Sequence, residues 1–209
     1  MMPQKSRLNI EHWHKLMSAF NIADNDKVYH DLIKAYSEKH RSYHTLEHIS
    51  ACLSHLDSAV EPEKNAPELE LALWFHDAIY KPFSKTNEED SAELAKAFLS
   101  KNNVPQDCVE RIYTLIMYTK DHAVPDNLDA QLMLDIDLSI LGTTRDIYQQ
   151  FEKDIRKEYK RVPFFIFKKK RKAILKSFLN RPRLFQTQYF FDLFEAQAKD
   201  NLIWAINQF

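Results

Sequence analysis

Gly142 is the only glycine in a chain of 209 residues, and that scarcity limits the fold more than any motif does. Tight hairpins, bulges and phosphate-cradling loops draw on glycine wherever the backbone needs a positive φ. A chain that almost never uses it is expected to be all-α. Neither a dinucleotide fingerprint nor a P-loop can be written with one glycine, so nucleotide binding through those devices is excluded. The length fits one helical domain spanning residues 1–209, large enough to bury a real core. Cys52 and Cys108 are too few for a disulfide framework or a zinc knuckle, and they fit a reducing cytosol. The opening segment MMPQKSRLNIEHWHKL lacks the apolar centre of a signal peptide. No apolar run approaches the roughly 18 residues of a membrane span, so a cytoplasmic protein with no membrane partner is expected.

Apolar periodicity then divides the chain. Residues 10–20 and 27–38 read as amphipathic scaffold helices joined by a polar turn, the first with Trp13, Leu16, Met17 and Phe20 on its apolar face. A third helix is expected over residues 43–60. Leu46, Ile49, Leu53 and Leu56 form its apolar stripe, while Glu47, Ser50, Ser54 and Asp57 form a polar one. Its third face carries His44, His48, Ala51, Cys52 and His55, where a surface helix would place Lys and Glu. His44 and His48 would lie one turn apart and point the same way. A lone inward His is ordinarily a hydrogen-bonded core residue; two at this spacing favour a metal site once other donors join them.

Those donors appear in LALWFHDAIY, residues 71–80. Leu69, Leu71, Leu73, Trp74 and Phe75 cover every side of the segment, so it belongs in the core. Pro67, Glu68 and Glu70 are good helix-start residues and make it a helix, with His76 and Asp77 at its C-terminal part. An ionised carboxylate buried there needs a cation, a dense hydrogen-bond shell or a proton. A divalent cation answers best, because His76 offers an imidazole nitrogen and Asp77 a hard oxygen. The bland alternative is a His–Asp pair at a helix end that faces water.

Downstream, Thr86 and Glu89 have capping-box spacing ahead of a fifth helix. Glu88, in the loop that follows the dyad, is a candidate for reaching a metal's water, against the simpler role of complementing the helix dipole. Pro105 opens a sixth, core-facing helix that ends near Lys120 and His122. Residues 126–141 form a seventh, closed by Gly142 in a left-handed C-cap. Asp135 and Asp137 lie inside its apolar run and point to different sides, so at most one should face the His-rich centre. From Lys153 to Arg183 thirteen Lys or Arg stand against Asp154 and Glu158, leaving an acidic remainder. Such a run can meet phosphate groups, nucleic acid or an anionic lipid surface, although most of these residues read as a solvated helix face. The aromatic runs 164–167 and 190–194 read as packing surfaces rather than base-stacking platforms, which argues against a nucleic-acid partner.

Taken together, RSYHTLEHI, WFHDAIY and LDIDLSILG resemble the signature of the HD superfamily of metal-dependent phosphohydrolases, and in particular a bacterial subgroup of HD phosphohydrolases. The likeness extends through NEEDSAEL, RKEY and AKDNL to nearly the whole chain. It implies a single-domain HD-type helical bundle with His48, His76, Asp77 and Asp137 as ligands of a divalent ion, whether Mn, Mg, Fe, Co, Ni or Zn. DIDLSILG is similar to the corresponding stretch of other HD hydrolases, and this is what favours Asp137 over Asp135. YHTLEHI also resembles a cyclic-nucleotide phosphodiesterase stretch whose first His donates a proton, which would make His44 the general acid. The further phosphodiesterase motifs are missing, so cyclic nucleotides are not implied.

The expected activity is hydrolysis of a phosphoester in a small phosphorylated molecule such as a nucleotide, with Arg41, Lys81 and His122 as substrate-binding candidates and Glu88 assisting catalysis. Two rivals stand beside it. One is a non-hydrolytic module that holds a metal and a nucleotide; the other is a di-iron HD oxygenase, which would need further ligands such as His55 or His122. A monomer and a homodimer are both compatible with the sequence.

Overall fold

In a computed structural model that describes residues 7–23, 25–59, 66–121 and 125–208, the chain is all-helical and divides into two compact units, Met1–Ala123 and Val124–Phe209. His122, like Val60 at the expected end of the third helix, lies outside the described residues.

The first unit is organised by the helix the apolar run encodes. Helices α1 (Ile10–Ala19), α2 (Asp26–Tyr36), α3 (Leu46–Ala59), α4 (Pro67–Phe75), α5 (Asn87–Lys101) and α6 (Gln106–Asp121) make up its described part. Asparagine side chains start the first two: Asn9 accepts from the His12 amide at 2.9 Å and Asn25 from that of Val28 at 3.4 Å. On α4 every residue from Leu69 to Phe75 is buried, and the helix packs against α1, α3, α5 and α6. Trp74 meets Trp13 edge-on at 5.4 Å and Phe75 stacks on Phe98 at 5.8 Å. Each such side chain removed from water contributes about 2 kcal/mol or more. Glu70 is the exception in an apolar helix, and its buried carboxylate is matched by Arg7 and by the His12 ring at 2.8 Å.

Three local expectations are corrected here. The third helix begins at Leu46, so Tyr43 and His44 stand in the turn before it. Helix α4 stops at Phe75, with His76 as its C-cap, and Asp77 lies in the turn that follows. Thr86 is the N-cap of α5 but makes no capping bond; its hydroxyl meets the Asp90 carboxylate at 3.1 Å.

The second unit contains α7 (Leu128–Leu138), a 3₁₀ turn (Ser139–Gly142), α8 (Arg145–Glu158), α9 (Phe164–Leu179) and α10 (Gln188–Asn207). The long α10 packs on the 3₁₀ turn and on α9. Asn201, fully buried on α10, donates to the Leu141 and Thr143 carbonyls at 2.8 Å each, which ties the helix to the C-terminal end of that turn. Gly142 does not adopt the left-handed conformation expected of it. It is glycine for space: a Cβ there would lie 2.4 Å from the Phe194 Cβ and 2.8 Å from the Phe194 carbonyl oxygen. Asp135, fully buried on α7, takes the Gln186 and Thr187 amides at 2.7 Å each and the Thr187 hydroxyl at 2.6 Å. Its charge thereby caps the start of α10.

Candidate metal centre

Helix α3 and the turn after α4 bring three donor atoms to one place inside the first unit. His48 Nε2 lies 3.2 Å from His76 Nε2 and 3.6 Å from Asp77 Oδ2, and His76 Nε2 lies 3.1 Å from the same oxygen. Both imidazoles are buried. Two imidazoles and a carboxylate this close together can hold a metal ion, and the two ring nitrogens are donors of the kind a borderline divalent ion takes.

The far side of each ring has a hydrogen-bond partner of its own. His76 Nδ1 is 2.8 Å from the Leu73 carbonyl, which can only accept, so Nδ1 carries a proton and in the neutral ring Nε2 presents a lone pair. His48 Nδ1 is 3.1 Å from the Tyr43 hydroxyl, which can accept from it in the same way. Partners of this type set tautomer and ring orientation at metal sites. Burial alone would push the Asp77 carboxyl up, but attraction from His76, His44 and His48 overcomes it and holds the group well below the usual carboxylate range. Asp77 is therefore a half-buried anion whose charge is stabilised by positive charge gathered on the imidazoles around it.

Arg41 explains why the turn holds this shape. Its side chain is fully buried, and it donates to the Asp77 carbonyl at 2.7 Å, the Ala78 carbonyl at 3.0 Å and the His44 carbonyl at 3.2 Å. It also meets Glu38 at 3.1 Å and lies over the rings of Tyr36 and Tyr80 at 5.1 and 5.5 Å. The expectation that Arg41 binds substrate phosphate is thus corrected: its guanidinium is engaged in joining the His44 turn to the His76–Asp77 turn. From the other side, Asn87 clamps the Lys81 backbone through two bonds of 3.0 Å, and the Ser91 hydroxyl accepts from the Ile79 amide at 3.0 Å.

His44 is half-buried and stacks on Tyr80 at 4.1 Å between centroids, with its ring 6.2 Å from that of His48. The expected helical spacing is wrong for this residue, yet its ring is still close to that of His48. Lys81 is exposed beside the clamped loop, and Glu88 is half-buried in the first turn of α5. The inward face expected along α3 narrows to His48 and Cys52, whose sulfur is 3.8 Å from the His48 ring nitrogens. Ala51 is exposed and His55 is half-buried, its pKa lowered by that burial. Asp137 is half-buried on α7 of the second unit. Its neighbour Asp135 is committed to the α10 start through three hydrogen bonds, so of the two acids Asp137 is the one that the α10 cap does not use.

Tyr43, Tyr80, Asn87 and Ser91 were not singled out from the sequence. Tyr43 stands five residues ahead of His48 in RSYHTLEHI, and Asn87 and Ser91 stand in NEEDSAEL, so the signal lay inside stretches already marked.

No family model, curated protein or solved structure matches the chain.

Proposed function

We propose that this chain is a metal-dependent phosphohydrolase of the HD type, cleaving a phosphoester of a small phosphorylated molecule such as a nucleotide. The observation that carries this reading is the convergence of the His48 and His76 Nε2 atoms on the Asp77 carboxylate. Two imidazole nitrogens and a half-buried carboxylate gathered this closely need a cation or protons among them. A divalent ion suits that donor set better than a single proton.

His48, His76 and Asp77 would hold the ion, and Asp137 is proposed as the fourth ligand on the sequence likeness and on the commitment of Asp135 elsewhere. A divalent ion in such a site supplies Lewis acidity toward a phosphoryl group and lowers the pKa of water. The chain's own residues do the rest. Arg41 keeps the His44 and Asp77 turns in register. His44, held against Tyr80, is the proposed proton donor to the leaving alkoxide. Glu88 is the proposed partner of the attacking water, and Lys81 the proposed contact for substrate phosphate.

The test is turnover of a panel of phosphomonoesters, phosphodiesters and nucleotides by purified protein supplied with Mn, Mg, Fe, Co, Ni or Zn. Activity with at least one metal is expected, reduced more than about a hundredfold by Asp77→Ala, since even partners behind a ligand are worth tenfold to a hundredfold. Full activity of the variant, or silence across the panel from protein that binds metal, would overturn the hydrolase reading.

A further inference from the structure

Helix α9, FFIFKKKRKAILKSFL, is not used by the candidate site, and it carries no acidic residue. Its inner face is Phe167, Arg171 and Leu175. Arg171 is neutralised there, bonded to Glu152 at 2.7 and 3.1 Å and lying over Phe151 at 5.2 Å. The outer face is different. Phe164, Phe165, Ile166 and Ile174 are 58, 73, 37 and 46 % exposed, interleaved with Lys168, Lys169, Lys170, Lys172 and Lys176. None of these lysines has an acidic partner among the described residues.

Placement sharpens the contrast. Phe164, Phe165 and Ile166 are consecutive, so at about 100° per residue they fan around the first turn and form an apolar tip rather than a stripe for a groove. The tip is braced from behind. Arg156 donates to the Tyr159 carbonyl at 2.6 Å and the Val162 carbonyl at 3.1 Å, and its guanidinium lies over Phe164 and Phe167 at 5.9 and 4.9 Å.

We infer that α9 docks on an anionic lipid surface, with Phe164, Phe165 and Ile166 entering the headgroup boundary and the lysines paired with lipid phosphates and carboxylates. An interfacial helix needs both elements, apolar side chains on a rigid tip and a basic face around them. A second copy of the chain fits poorly, because a two-fold contact through this face would set lysine against lysine. A nucleic acid answers the charge but leaves the apolar tip in water.

The full-length protein is tested by co-sedimentation with phosphatidylcholine vesicles and with vesicles that also contain phosphatidylserine. Binding to the second and not to the first is expected. Raising salt from about 0.1 to about 1 M, which shortens the screening length from roughly 10 to 3 Å, should release it. Lys169→Gln with Lys170→Gln should weaken partitioning about 30-fold, each lysine near the surface being worth roughly fivefold. Phe165→Ser with Ile166→Ser should weaken it at every salt concentration while leaving the circular dichroism spectrum unchanged, since both side chains face solvent. Equal behaviour toward the two vesicles would overturn the proposal. So would binding that survives the Phe165 and Ile166 substitutions, or a concentration-dependent dimer that those substitutions abolish.

Discussion

Replacing Gly142 by alanine sets two opposing effects against each other, and the structure decides between them. Gly142 has no positive φ, so the general expectation is stabilisation by about 0.4–1 kcal/mol, from an unfolded chain with less freedom to lose. Against this, the new methyl would stand 2.4 Å from the Phe194 Cβ, 2.8 Å from its carbonyl oxygen and 2.9 Å from its Cα. These belong to the body of α10 rather than to the end of a flexible side chain, so relief requires the helix to move. Asn201 bonds the same helix to Leu141 and Thr143 and resists that movement. Overpacking of this kind costs about 1–3 kcal/mol, and backbone contact puts it at the upper end. The net expectation is destabilisation by about 2 kcal/mol, read by urea denaturation followed by circular dichroism. A variant as stable as the parent, or more stable, would refute the argument that α10 crosses the turn at van der Waals contact.

Asp135→Ala should leave the Gln186 and Thr187 amides without their acceptor and cost about 2–4 kcal/mol while leaving metal content unchanged; Asp137→Ala should do the reverse, as read by denaturation and elemental analysis of both variants. Arg41→Met removes the donor to the Asp77, Ala78 and His44 carbonyls, and a loss of about 3 kcal/mol or more in the same denaturation assay is expected. The Arg111 guanidinium, through its hydrogen bonds, holds the Glu68 and Asp107 carboxyls below their ordinary values. A depressed carboxylate contributes stability that is complete above its unfolded pKa and is lost as pH falls through the folded one. Arg111→Gln should therefore flatten the stability curve below about pH 4.5, an effect that solvent and salt screening keep small at so exposed a site.

What the sequence discloses, it discloses through composition and spacing. One glycine is enough to exclude strands built on tight turns, and the unbroken apolar run before His76 is enough to mark a buried helix. His48, His76 and Asp77 are legible for the same reason: polar donors in places where burial makes them costly. Conformation at helix ends is not legible. Whether His44 belongs to α3 or to the turn before it depends on Arg41, whose guanidinium pins the His44 carbonyl, and nothing in the string of letters says that this arginine is buried. Gly142 looks the same whether it serves a positive φ or a close approach, and only the position of Phe194 separates the two. Asp135 and Asp137 are indistinguishable by pattern until Thr187 is seen to claim the first.

The most direct measurement is the metal content of protein purified without a metal-affinity tag, before and after titration with Mn, Fe, Co, Ni and Zn, for the parent chain and for Asp77→Asn and His76→Ala. About one or two ions per chain are expected for the parent, with loss of binding in both variants and an unchanged helical spectrum. A parent chain that takes up none of these ions, or variants that bind as well as it does, would contradict the claim that His48, His76 and Asp77 form a cation site.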